Sequence, residues 1–282
     1  EHLLLGTRKE NIQDSINKGR FHYNLKKRLC KRGHALIGEN VYEYDIVNSD
    51  QDCRTKELPL DNIDRVYFLA WKVGGSKYLY DPNTQQEQLE WNMQLLQNTM
   101  HQLKGIPFVF TSTQLVAEHD TVYGALKALG EVMTTLYCGK VMRLWNIYGA
   151  YEDQSVVSHV ISDFIHQALD TGKIKMMTNG MESRRFVNVV DVCAALHKSF
   201  DRDTVGIYDV CGEEWNEVYK IAEIISEYTG CKIKTGDGYG TASYQPSYRN
   251  LLKPKIDLKH GIIQTIELYK GIKNATRSSN PK

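Results

Sequence analysis

TSTQLVAEHDTVYGALKALGEVMTTLYCGKVMRLWNIYGA, residues 111–150, holds the end of one strand, a helix and a complete second strand. PFVFTS (107–112) and KVMRLW (140–145) are short, apolar and bounded by polar or turn residues, the marks of strands. The segment 123–137 between them predicts a helix. Farther upstream, RVYFLA (65–70) is a third strand of the same texture. After it, Leu89, Met93, Leu96, Met100 and Leu103 recur at steps of four and three, predicting a helix over 86–103 with these residues on one face. Ile161, Phe164, Ile165 and Leu169 do the same for a helix farther on. Alternating strands and helices, with nearly continuous apolar strands, predict an α/β protein whose parallel sheet is covered on both faces.

The texture changes near residue 171. GIYDVC (206–211) reads as a strand, Val218, Ile221, Ile225 and Tyr228 mark a helix, TGDGYGTAS (235–243) is a loop, and a closing helix follows Pro254. The expected organisation is a first domain over 1–170, a smaller interleaved lobe over 171–273 and a flexible tail over 274–282. A ligand is expected between two such lobes.

Composition removes several classes of function. With 282 residues, 41% hydrophobic and 24% charged, the chain is neither collagen-like, coiled-coil nor disordered. Lys and Arg number 35 against 34 Asp and Glu, so the basic excess that tracks a nucleic-acid backbone is missing. No apolar run nears the ~20 residues of a membrane span. No signal-peptide pattern is read either, so no membrane partner and a cytoplasmic location are expected. The six cysteines stand singly, without metal-ligand spacing, which predicts reduced thiols and no metal site. Adjacent Glu118, His119 and Asp120 diverge on a short loop and form no acid–base or metal cluster.

The chemistry lies in Tyr123 and Lys127. Residues four apart on a helix share a face, so the phenol and the ammonium point into one site. The ammonium favours tyrosinate, drawing the phenol from about 10 toward neutrality, which suits proton transfer at a sugar or alcohol oxygen. A Ser or Thr hydroxyl from the preceding strand end, Thr111–Thr113, can share that oxygen. The same spacing recurs at Tyr23/Lys27, Tyr228/Lys232 and Tyr269/Lys273, but only Tyr123/Lys127 lies between a hydroxyl-ended strand and one that ends in Asn-x-Tyr-Gly.

These motifs, in this order, resemble the extended short-chain dehydrogenases/reductases, which include nucleotide-sugar epimerases, dehydratases and reductases. RVYFLAWKVGG (65–75) resembles the family's strand ending in an alanine pair beside the cofactor, here Leu69-Ala70-Trp71. Asn92 matches its structural and proton-relay asparagine, and Thr113 its catalytic hydroxyl, with Ser112 beside it. RLWNIYGA (143–150) places Asn146 on the substrate diphosphate, and SRRFVNVVDVCAAL (183–196) places Arg184 there. The resemblance covers roughly residues 30–270. It implies a Rossmann-like, doubly wound parallel sheet with a smaller C-terminal α/β substrate lobe. It also implies NAD or NADP as cofactor, a nucleotide-diphosphate sugar as substrate, and a homodimer through 86–103 and 123–137. Lys127 would further hold the nicotinamide ribose.

Departures from the pattern are confined and specific. The expected Gly-x-x-Gly-x-x-Gly, which lets backbone approach a pyrophosphate at a helix start, is broken. Alignment puts Gly19 at its middle glycine, with Ile16 and His22 at the outer two. HLLLGT (2–7) is an alternative first strand with Gly6 as the first glycine. Glu39 or Asn40 falls at the ribose-binding position, slightly favouring NAD, and Asp45-Ile46 resembles the adenine-contacting pair. Gln114 replaces the Asp-Glu pair of sugar dehydratases, leaving epimerisation or carbonyl reduction and oxidation. The competing class is a non-catalytic dinucleotide- or nucleotide-sugar-binding regulatory protein of the same fold.

Overall fold

The computed structural model describes residues 2–6, 42–45, 52–61, 63–118, 120–149, 152, 159–201, 206–240 and 249–278. Three strands, β1 (His2–Gly6), β2 (Tyr42–Asp45) and β3 (Arg65–Phe68), precede a helical turn α1 (Ser76–Leu79) and the long helix α2 (Gln85–Gln102). Next come β4 (Phe108–Thr113), α3 (Val122–Leu136), β5 (Lys140–Leu144) and β6 (Asn146–Tyr148). Then follow α4 (Val160–Thr171), β7 (Lys173–Lys175), β8 (Ser183–Arg184), β9 (Phe186–Asn188) and α5 (Val189–Ser199). The remainder is β10 (Gly206–Val210), β11 (Asn216–Glu217), α6 (Val218–Thr229), β12 (Lys232–Lys234), β13 (Arg249–Asn250) and α7 (Leu258–Ser278).

The chain forms two compact units, Glu1–Arg143 with Leu196–Asp209, and Leu144–Ala195 with Val210–Lys282. The first crossing falls at 143/144 and not at 170/171, because α4 packs against α6 within the second unit. In the first unit the strands lie in the order β10-β5-β4-β3-β1-β2. β3 and β4 are parallel, Val66 opposite Phe108 and Phe68 opposite Phe110. Every residue of β4 is buried, as a strand covered on both faces requires. α2 and α3 pack on each other, and α3 packs on β4. Gly130 permits the close approach: a Cβ there would lie 2.5 Å from the Phe110 ring. This is a Rossmann-like α/β unit.

Two expectations need correction. β1 is antiparallel to both neighbours, His2 facing Asp45 on one side and Gly6 facing Arg65 on the other. Gly6 therefore sits at the amino-terminal end of β3. Ligands in such sheets bind at the carboxyl ends, so Gly6 cannot open a phosphate loop there. On α2, Leu96, Met100 and Leu103 are buried and Met93 packs against the core as expected, whereas Leu89 is 45% exposed and Gln88, Asn92, Leu95 and Thr99 widen the buried face. At the start of the helix Gln88 takes the buried place because it anchors backbone: its amide donates to the Tyr78 carbonyl and the Thr84 hydroxyl, both at 2.9 Å.

The second unit is built around α4, α6 and α7, whose Ile161, Phe164, Ile165, Ile221, Ile225, Ile262 and Ile266 form one core. Left-handed glycines, Gly172 and Gly230, end α4 and α6, and the strands that follow, β7 and β12, pair in parallel. The Asp191 carboxylate accepts from the backbone N–H groups of Lys255 (3.1 Å) and Ile256 (3.0 Å), fixing the entry to α7. α7 continues to Ser278, so 274–278 of the expected tail is helical; 279–282 lie outside the described residues.

Candidate active site

The first unit assembles the Tyr123/Lys127 pair at the carboxyl ends of β3 and β4. A hydroxyl cap starts α3: Thr121 Oγ1 accepts from the Gly124 N–H at 3.0 Å and donates to the Glu118 carbonyl at 2.8 Å. The turn is tight enough that a Cβ on Gly124 would stand 2.3 Å from the Glu118 carbonyl oxygen. Tyr123 is thereby fixed in the first turn, half-buried. One turn on, Lys127 is only 4% exposed. Its Nζ donates to the Thr111 carbonyl at 2.7 Å and lies 3.9 Å from the Trp71 ring centroid, 4.9 Å from that of Phe110 and 6.0 Å from that of Tyr123. The phenol and the ammonium do share a face.

Alternation along β4 separates the three hydroxyls. Thr111 Oγ1 donates to the Phe68 carbonyl at 3.2 Å, tying β4 to β3. Thr113 Oγ1 accepts from the Leu115 N–H at 3.2 Å and donates to the Gln114 side-chain oxygen at 3.3 Å, at the strand's end. Ser112 points the other way, donating to Glu131 Oε1 at 2.6 Å. Its hydroxyl hydrogen is engaged at the α3 interface. Glu131 also takes a bidentate contact from Arg143, 2.7 Å from Nε and 2.6 Å from Nη2. The sequence reading missed this buried triad, whose only signal is that Glu131 lies eight residues from Tyr123, on the same helical face.

Asn92 is buried, and its amide clamps the segment after β3. Oδ1 accepts from the Lys72 N–H at 2.8 Å, while Nδ2 donates to the carbonyls of Lys72 (3.1 Å) and Gln88 (3.0 Å). Both amide hydrogens are used. The clamp fixes the run Leu69-Ala70-Trp71, where Ala70 and Trp71 are buried and Leu69 is half-buried. Asp45 ends β2, opposite His2. Gly19, Glu39 and Ile46 lie outside the described residues.

Asn146 and Arg184 belong to the second unit. Asn146 lies opposite Phe186 in the β6–β9 pair and donates from Nδ2 to the Arg185 carbonyl at 3.1 Å. Arg184, two residues before Phe186, donates from Nη1 to the Ser183 carbonyl at 2.9 Å. Both side chains are half-buried. Nearby, the Arg185 guanidinium lies 5.7 Å from the Trp145 ring and 5.3 Å from that of Trp215, an arrangement sequence reasoning did not find. Tyr148, in the same Asn-x-Tyr-Gly turn, is no acid–base candidate. Burial, reinforced by the charges of Asp191 and Asp257, pushes its hydroxyl up to about 12. Among the described residues no three His, Cys, Asp or Glu side chains gather as a metal site, and no helix is long and apolar enough to cross a membrane.

A parallel α/β unit with a Tyr/Lys pair at its carboxyl edge defines the short-chain dehydrogenase type of protein. The chain belongs to the NAD dependent epimerase/dehydratase family, whose model matches residues 16–211. β1 lies outside that match. Solved structures share the fold at low identity. The UDP-glucuronic acid 4-epimerase of Bacillus cereus, in complex with UDP-glucuronic acid and NAD, has a TM-score of 0.66 at 18% identity, with 81% of this chain and 80% of that chain covered. For the UDP-N-acetylglucosamine 4-epimerase of Methanobrevibacter ruminantium the TM-score is 0.65 at 19% identity, over 79% and 81%. The UDP-glucose 4-epimerase of Thermotoga maritima gives 0.60 at 19%, over 74% and 78%. No curated protein matches the chain.

Proposed function

We propose that this protein is an NAD-dependent enzyme acting on a nucleotide-diphosphate sugar, either an epimerase or a 4-keto reductase/dehydrogenase, with Tyr123 as the acid–base group. The observation that carries this reading is the seating of Tyr123 and Lys127 on one face of α3, above the Thr111 carbonyl. The cofactor's contribution is a reversible hydride acceptor. Tyr123 takes the proton from a sugar hydroxyl as its carbon is oxidised, and returns it on reduction. The Lys127 ammonium stabilises the negative charge left on the phenol oxygen, and Thr113 hydrogen-bonds the same sugar oxygen. Leu69, Ala70 and Lys127, with Gly19, Glu39, Asp45 and Ile46, are assigned to cofactor binding; Asn146 and Arg184 are assigned to the substrate diphosphate. Asn92 is a positioning residue.

Replacing Tyr123 by Phe is expected to leave the thermal melt unchanged and lower turnover of UDP-sugars by orders of magnitude. Full turnover in Tyr123→Phe would refute the role. Cofactor handling sorts the two reactions. An epimerase regenerates NAD and purifies with it bound, whereas a reductase consumes reduced cofactor one for one. The broken glycine pattern and the reversed β1 favour a non-catalytic binding protein, and such a protein would show no turnover at all. The reading further implies a cytoplasmic location and a homodimer, the homodimer being supported by the exposed Leu129, Val132 and Leu136 on α3.

A further inference from the structure

The Trp71 indole has been assigned no contact with a ligand, yet its surroundings are unusual. It follows Ala70 at the carboxyl end of β3, where the family resemblance leads to a small residue, and it is only 2% exposed. Three contacts fix the indole. The backbone of the next residue, Lys72, is clamped on both sides by Asn92. Phe110 meets the ring edge-on at 5.9 Å, and Lys127 Nζ lies 3.9 Å from its centroid. The indole Nε1–H, however, is buried and has no acceptor among the described residues. Buried donors are paired in nearly all folded proteins, because an unmet N–H has lost water without compensation. A vacant donor beside a seated ammonium, at the ligand-binding edge of a parallel sheet, is matched by an acceptor that arrives with the ligand.

We infer that Trp71 is a cofactor-binding residue of this chain, holding the Lys127 ammonium on its ring face while its Nε1–H donates to a ribose or phosphate oxygen of the dinucleotide. The inference rests on the NAD reading above. It makes the indole a specific device of this chain: one side chain both seats the catalytic ammonium and reads the ligand.

The test uses protein labelled with ¹⁵N-tryptophan, whose four indole N–H signals can be followed individually. Phe replacements at the other three tryptophans identify the Trp71 signal by elimination. Adding NAD should shift that signal and slow its exchange with water. Trp71→Phe keeps an aromatic face for Lys127 and removes the donor, so its Kd for NAD, measured by calorimetry, should rise about tenfold. ADP separates the two halves of the dinucleotide: an equal loss of ADP affinity assigns the acceptor to the adenosine diphosphate half, and an unchanged ADP affinity assigns it to the nicotinamide ribose. An unmoved indole signal, or a Kd equal to or tighter than that of the unaltered protein, would overturn the inference while leaving NAD binding intact. Absence of NAD binding by the unaltered protein would overturn the functional reading, and this one with it.

Discussion

Glu131 shows what a single residue contributes beneath the site. Its carboxylate gathers the Ser112 hydroxyl and the Arg143 guanidinium, joining α3 to β4 and β5. With side-chain exposures of 7% for Glu131 and 11% for Arg143, the pair is shielded from solvent. Removing one charge strands the other. Glu131→Gln should therefore lower stability by about 3 kcal/mol, read as a drop in the urea midpoint at constant slope. Ser112→Ala, which deletes one neutral donor, should cost about 1 kcal/mol. Tyr123 and Lys127 were legible in the sequence because their spacing falls between two strands that announce themselves. Glu131 was not, since a charged residue in a helix reads as a solvated face until the partner strand supplies an arginine. The Ser112 bond was hidden for a related reason: a run of three hydroxyls does not say which of them turns toward α3, and strand alternation sets that.

At the scale of an element, α3 is held at both levels that matter. The Thr121 cap sets where it begins, and Gly130 sets how near it lies to β4. Gly130→Ala would push a methyl group into the Phe110 ring, so the helix must lift or the ring must turn. The expected result is a destabilisation of about 1–3 kcal/mol, with weaker NAD binding because Tyr123 and Lys127 ride on the same helix. Thermal unfolding and a cofactor titration check both halves. The strands β3, β4 and β5 fall within two residues of their sequence-based limits, because short apolar runs between polar borders leave little freedom. On α2 the apolar face was read correctly from Met93 onward, but Gln88 and Asn92 were not seen as buried, because their burial rests on backbone partners that no hydrophobic periodicity can show.

For the whole molecule, the outer side of α3 carries Leu129, Val132 and Leu136, at 37%, 57% and 73% exposure. Three apolar side chains at helical spacing on an open face suit a self-complementary contact. Val132→Glu should halve the sedimenting mass without changing the circular dichroism spectrum, and an unaltered single-copy mass in the parent protein would rule the dimer out. The α/β plan was legible because strand and helix periods alternate for most of the chain. The direction of β1 was not, because HLLLG reads the same as a strand whichever way it enters the sheet.

That direction has a practical side. Since Leu3 stands beside Phe68 and Gly6 beside Arg65, anything joined ahead of position 2 emerges on the rim where Trp71 lies, not about 13 Å away, four steps of strand, at the opposite rim. With the cofactor bound at that rim as proposed, a bulky dye attached at position 2 should slow NAD association, whereas the same dye at the opposite rim should not.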